Sequence, residues 1–191
     1  YDATLSPRQI SDRGILVSGE FRYLGESTMN TLNASYLGGD DLFDPALAND
    51  ITSETPPEED RWFVGFQHSG RLGRNWSTFV DYSAVSDDDY FFDLGANGLN
   101  VVTRTHLNRQ GRLSYNAGFL RVSLNAQRIQ LIDPFINQVN INRPFDRLPE
   151  LDFETGTALP LGFQLTLRGE ASAFDRSLDE NQLGQDLIDA G

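Results

Sequence analysis

Between positions 99 and 132 the side chains alternate in kind almost step by step, and this restricts the chain more than any other feature. Val101, Thr103, Thr105, Leu107, Leu113, Tyr115 and Ala117 form one series, apolar or neutral. Arg104, His106, Asn108, Gln110, Arg112, Ser114 and Asn116 form the other, polar without a break. Successive side chains of a strand point to opposite faces, so a period of two defines a strand with two unlike faces. Asn116-Ala117-Gly118 offers a turn, because Asn and Gly tolerate positive φ. The pattern resumes with Leu120, Val122, Leu124 and Ala126 against Arg121, Ser123, Asn125 and Gln127.

Each arm of this hairpin runs to roughly 13–17 residues, whereas strands of soluble proteins usually hold about 3–10. A tilted strand needs about 9–11 residues to cross a hydrocarbon layer. A soluble sandwich buries its apolar face and rarely sustains so uniform a polar one. In a membrane barrel the polar face lines a wet lumen and the apolar face meets lipid. The hairpin therefore favours a membrane barrel over a soluble β-domain.

Composition sets outer bounds. The mean hydropathy is −0.40, and no run approaches the ~18 apolar residues of a membrane-spanning helix. Barrels escape hydropathy because every second residue is polar. The net charge of −13 argues against a nucleic-acid partner. The chain has no cysteine, which removes disulfides, zinc–thiolate sites and Cys nucleophiles.

The same alternation recurs along the chain. It predicts nine strands, at about 1–12, 15–24, 29–37, 61–70, 76–85, 100–116, 119–131, 149–158 and 162–175. Pro7 interrupts the first, and proline belongs on edges or at irregularities because it donates nothing to the ladder. Residues 38–59, 86–98 and 133–148 read as long loops, and 177–191 as a polar tail or loop. Short and long connections alternate from the third strand onward, as periplasmic turns and extracellular loops do. Barrels of single bacterial chains have even strand numbers, and an open sheet leaves unpaired edges that lipid does not tolerate. Nine strands and a start within a strand therefore suggest a piece of a larger antiparallel transmembrane β-barrel, an all-β fold.

The polar face collects the charged candidates: Arg8, Glu20, Arg22, Asp81, Arg104, His106, Arg112, Arg121, Glu150, Asp152, Glu154, Arg168 and Glu170. Both signs occur, so neighbouring strands can pair them. One reading is a hydrated path for a charged solute; the other is a solvated wall of salt-bridge ladders. The second histidine, His68, falls on the opposite face from His106, so no metal site is expected. No G-x-S-x-G and no triad can be assembled. Glu150, Asp152 and Glu154 share a face and could form a carboxylate set, but solvation explains them as well. No enzyme activity and no cofactor are expected. Asp40, Asp41 and Asp44, then Asp87, Asp88 and Asp89, could hold a divalent cation; lacking a D-x-D-x-D-G pattern, they read as solvated loops. Trp62, Trp76, Tyr82, Tyr23, Tyr36 and Phe163 lie near strand ends on the apolar series, as an interfacial aromatic girdle would.

Several short motifs in fixed order resemble a known family. They are Tyr1-Asp2-Ala3-Thr4-Leu5-Ser6-Pro7, Arg13-Gly14, Glu20-Phe21-Arg22-Tyr23-Leu24, Arg61-Trp62-Phe63, His68-Ser69-Gly70, Val80-Asp81-Tyr82, Val85-Ser86-Asp87 and Tyr90-Phe91-Phe92-Asp93. Together they resemble the start of the barrel domain in the outer-membrane LPS-assembly family LptD, most clearly over 1–95 and by pattern over 96–175. The resemblance implies an outer-membrane barrel of a Gram-negative bacterium that translocates lipopolysaccharide and inserts it into the outer leaflet. It implies a lipoprotein plug, LptE, a periplasmic bridge that delivers the lipid, the barrel-assembly machinery during folding, and contact with outer-membrane lipids. In that family the lipid is thought to leave sideways between the first and last strands, where prolines weaken the pairing; Pro7 matches the second-strand proline. The family's jelly-roll domain, its cysteines and the last strands have no counterpart here. The rival readings are a passive outer-membrane pore and a soluble β-rich carbohydrate-binding domain.

Overall fold

A computed structural model describes residues 1–44, 59–96, 99, 106–132 and 146–175. It contains nine strands: β1 (Asp2–Ile10), β2 (Gly14–Leu24), β3 (Thr28–Leu37), β4 (Arg61–Leu72), β5 (Trp76–Val85), β6 (His106–Asn116), β7 (Leu120–Leu131), β8 (Asp146–Ala158) and β9 (Gln164–Asp175). They form one antiparallel sheet in chain order, each strand paired with the next. All nine expected strands are present. The sixth was expected from position 100, but 100–105 lie outside the described residues. The eighth begins three residues early, at Asp146. There the register shifts between Arg147 and Glu150, and Pro149, which has no N–H to give, sits in the irregularity.

The register keeps the two faces apart across every strand pair. Along one row Val17 stands opposite Tyr36, which stands opposite Trp62. Along another Leu113 stands opposite Leu124, which stands opposite Leu151. Polar rows run between them, such as Ser18–Ser35 and Ser114–Ser123–Asp152. A slip of one residue would exchange the faces of a whole strand, so the alternation itself fixes the register.

The sheet has two unlike ends. At one, tight turns join β2 to β3, β4 to β5, β6 to β7 and β8 to β9. In the β6–β7 turn Gly118 takes φ 81°, and its N–H donates to Asn116 Oδ1 at 3.1 Å. At the other end lie the long connections and the β1–β2 turn. Here the segment after β5 departs from the expected loop. Tyr90–Asp93 forms one helical turn, α1, closed by Leu94 N–H to Tyr90 O at 2.9 Å and ended by Gly95 at φ 76°. Burial explains it: Tyr90 and Phe91 are enclosed while Phe92 is 84% exposed. A four-residue helix is held by tertiary packing, which local propensity does not register.

The buried cluster is small and lies at this end. It joins Leu16, Leu37, Phe63 and Val85 of the strands to Tyr90, Phe91 and Leu94, with Leu107 and Ile132 beside them. Most of the remaining large apolar side chains are at the surface. On the apolar face Tyr36 is 50%, Trp76 44%, Leu124 46% and Leu167 57% exposed.

Cross-strand packing can be tested at Gly169, which stands opposite Phe153. The Phe153 ring occupies the space a β-carbon at Gly169 would need. Gly169→Val is expected to displace the ring and weaken β8–β9 pairing by about 1–3 kcal/mol. Urea unfolding of the full-length protein in detergent checks this, with Gly111→Ala, where a β-carbon meets open space, as the mild control.

Candidate functional site

The polar face is bare over most of its length and covered at one end. Towards that end Leu16, Leu37, Phe63 and Val85 bring apolar side chains onto this face, and α1 packs onto them. Phe63 meets Phe91 edge-on at 5.6 Å between ring centroids. The Ser35 and Tyr90 hydroxyls are hydrogen-bonded in the interior, and Arg8 donates to the Leu94 carbonyl.

Arg61 lies at the centre of this cover. It opens β4 on the polar face, opposite Leu37, and its side chain is fully buried. Its guanidinium grips Asp87 with two bonds, Nη2–Oδ1 at 2.6 Å and Nε–Oδ2 at 3.0 Å. Its Nη1 also reaches Asp40 at 3.0 Å and Asp93 at 2.7 Å. Arg13, from the β1–β2 turn, adds a second guanidinium, 2.6 Å from Asp40 and 3.3 Å from Asp93. The Phe43 ring lies 4.3 Å from the Arg61 guanidinium carbon. Two cations and three carboxylates from four segments thus meet in one place. The acidic loops were expected to be solvated; Asp40 and Asp87 depart from that because each is drawn in to neutralise Arg61. Among the described residues no group of His, Cys, Asp or Glu has the arrangement to hold a metal ion.

Burial alone would push the Asp40 carboxyl up. Hydrogen bonds from Arg61, Arg13 and the Leu42 N–H outweigh it and hold Asp40 below the usual carboxylate range. Asp89 moves the other way: burial raises it, and the neighbouring charges of Asp93 and Asp87 add to the effect.

The remaining polar-face residues form ladders. Arg22 on β2 reaches Asp2 at 2.9 Å and Glu20 at 3.4 Å. Asp81 accepts from Asn108 at 2.9 Å, Gln127 donates to Asn108 at 3.0 Å, and Gln110 donates to Asn125 at 2.8 Å. Glu154 sits between Arg121 at 3.5 Å and Arg168 at 3.4 Å. Glu150 holds Arg147 at 3.1 Å, and Glu170 accepts from Ser172 at 3.0 Å. Asp152 stands opposite Ser123 on one side and Glu170 on the other. Arg112 stands opposite Phe79 and Asn125. His106 is exposed at the start of β6, opposite Leu131. Arg104 lies outside the described residues. Pro7 stands opposite Val17 on β1, which pairs on one side only among the described residues.

The apolar face is framed by aromatic residues. Tyr36 and Trp62 are neighbours near the long-connection end, and Tyr82 lies towards it. Tyr23 lies near the short-turn end, as do Trp76 and Tyr115, whose ring centroids are 4.9 Å apart. Beyond Tyr82 the face turns polar in a way the sequence reading missed. Arg109 stands opposite Arg128; Arg109 lies 5.7 Å from the Tyr82 ring and donates to Gln130, and Arg128 pairs with Asp146 at 3.0 Å. His68, also on this face, bonds Asn30 at 2.7 Å and Thr78 at 2.8 Å.

A long antiparallel sheet with one exposed apolar face and one charged face, capped at one end by a buried ion cluster, is the architecture defined by these residues. A model of the family described as LPS transport system D matches residues 59–186. The chain is 38% identical over 183 residues to the LPS-assembly protein LptD of Pseudomonas aeruginosa (strain UCBPP-PA14), covering 95% of this chain and 18% of that protein. It is 37% identical over 179 residues to the LPS-assembly protein LptD of Pseudomonas savastanoi pv. phaseolicola, covering 93% of this chain and 18% of that protein. The chain belongs to the LptD family. It spans under a fifth of the length of these curated relatives.

Three outcomes follow for the ion cluster and its neighbour Asp89. Arg61→Ala leaves three carboxylates around one remaining cation and is expected to destabilise the covering segment by about 3–5 kcal/mol. Asp40 contributes stability above the ordinary carboxylate value of about 3.9, and that contribution is lost as pH falls through its lower folded value. Asp89 has the opposite sign, so Asp89→Asn is expected to stabilise the segment at pH 7 and leave it unchanged at low pH. Amide hydrogen exchange of residues 86–94 in the full-length protein, read from pH 7 downward, checks all three.

Proposed function

We propose that this chain is part of an outer-membrane β-barrel in a Gram-negative bacterium and works in delivering lipopolysaccharide to the outer leaflet. One observation carries the reading: the exposed apolar face runs through the sheet from β2 to β9 and is edged by Tyr and Trp. Water does not favour so continuous an apolar surface, whereas lipid does. Tyr82 lies six residue steps along the strand from Trp76, roughly 20 Å, comparable with the ~25 Å apolar band of such barrels. Membership of the LptD family supplies the cargo.

In this reading the polar face is the lumen wall, and Glu20, Arg22, Asp81, Arg104, His106, Arg112, Arg121, Glu150, Asp152, Glu154, Arg168 and Glu170 contribute to it. The lipoprotein LptE plugs the barrel, a periplasmic bridge feeds it, and the barrel-assembly machinery folds it. Lipopolysaccharide exits sideways at a seam beside β1, where Pro7 removes a ladder donor. The chain performs no chemistry of its own.

Leu124→Arg is expected to cost about 2–4 kcal/mol in lipid, and Ser123→Arg, one residue away on the other face, close to nothing. Unfolding of the full-length protein in lipid vesicles measures the difference; equal effects would mean that neither face meets lipid. Pro7→Ala is expected to tighten β1 pairing and reduce surface lipopolysaccharide, measured by labelling intact cells; unchanged labelling would remove the seam from the reading.

A further inference from the structure

All fifteen basic residues of the chain are arginines. On the polar face Arg22, Arg61, Arg121, Arg147 and Arg168 each have a carboxylate within 3.5 Å. Arg71 and Arg112 differ. Among the described residues neither makes an ion pair or a side-chain hydrogen bond, in a chain of net charge −13. Both line the same groove of about 540 Å³ at the short-turn end of the sheet.

The register explains the placement. Arg71 stands opposite Ser77, which stands opposite Ser114. Arg112 stands opposite Phe79. The two α-carbons are thus two strands and one row apart, roughly 12 Å by strand spacing. Two arginine side chains can converge on one group across that distance. Between them lie the Ser77 and Ser114 hydroxyls and the Phe79 ring, all lining the groove. The nearby charge of opposite sign is Glu26 in the β2–β3 turn, which also lines it.

We propose that this groove is a subsite for the phosphoryl group of a phosphorylated sugar headgroup. The inference rests on the functional reading above and specifies where on the wall the cargo's charge is held. A guanidinium offers paired N–H donors that match phosphate oxygens, and hydroxyls complete the shell. Phe79 gives an apolar surface for the face of a sugar ring. Short turns lie on the periplasmic side of such barrels, so the groove stands where the headgroup arrives. Glu26 opposes the anion and keeps binding from becoming permanent.

The test uses the full-length protein in detergent, titrated with lipopolysaccharide and with the same lipopolysaccharide stripped of its phosphates. Arg71→Gln/Arg112→Gln is expected to weaken binding of the phosphorylated form at least tenfold and leave the stripped form unchanged. Glu26→Gln is expected to tighten the phosphorylated form severalfold. Heat-dependent gel migration verifies folding; if the double variant does not fold, Glu26→Gln and Arg71→Lys carry the test, with opposite expected signs. Unchanged affinity in the variants, with wild type still binding lipopolysaccharide, overturns the subsite and leaves the functional reading intact. Wild-type protein that binds neither form overturns both. Loss of a co-purifying protein from the double variant at unchanged lipopolysaccharide affinity assigns the groove to an acidic protein segment and overturns the proposal.

Discussion

A strand cannot choose its neighbours independently on its two sides. Once the backbone is extended, every second residue belongs to one face, and one sequence must suit two surroundings at once. Here that constraint governs nearly everything. The apolar rows Val17–Tyr36–Trp62 and Leu113–Leu124–Leu151 fix the register, and the register then decides which charges meet on the reverse side. Glu154 lies between Arg121 and Arg168 because Val122, Phe153 and Gly169 are aligned one residue away. The exposed ion pairs of that ladder add little stability themselves, each about 0–1 kcal/mol. They are a consequence of packing on the other face more than a cause of it.

The Arg61 cluster follows a different logic. A guanidinium without solvent is tolerated only if its donors are met, and here three carboxylates and an aromatic ring meet them. The gain is geometric. Fork-shaped contacts with Asp87 leave one orientation for the segment after β5, and Asp40 ties in the segment after β3. A hydrophobic contact alone would let α1 slide over Phe63; the bidentate pair does not. This end of the polar face is consequently narrowed by design of the chain itself, while the short-turn end, with Arg71 and Arg112, stays open.

The strands were legible because their signal is a period of two over ten or more residues, and tertiary context reinforces it. What failed to show was anything decided by a contact distant in sequence. Asp40 and Asp87 look like solvated loop acids, and only the arrival of Arg61, 21 and 26 residues away, makes them interior groups. The sequence does hold a clue to the cover. Leu16, Leu37, Phe63 and Val85 interrupt the polar series close together at one end, and a polar wall facing only water has no use for such a cluster there. Arg109 and Arg128 break the apolar series in the same manner and mark where the apolar band stops. The helical turn at Tyr90 is too short for any periodicity to show it.

The order of the sheet carries one more consequence. Among the described residues each strand pairs with its neighbours in sequence, so the sheet can grow by adding one strand to the last. The Arg61 cluster is an exception to that locality. It needs Arg13 from the first turn, Asp40 after the third strand, Arg61 from the fourth, and Asp87 and Asp93 after the fifth. None of these groups is in position until five strands are aligned in the correct register, and a slip in any one of them leaves a charge stranded. The cluster therefore acts as a proofreading lock on assembly, closing only over a correctly threaded first half.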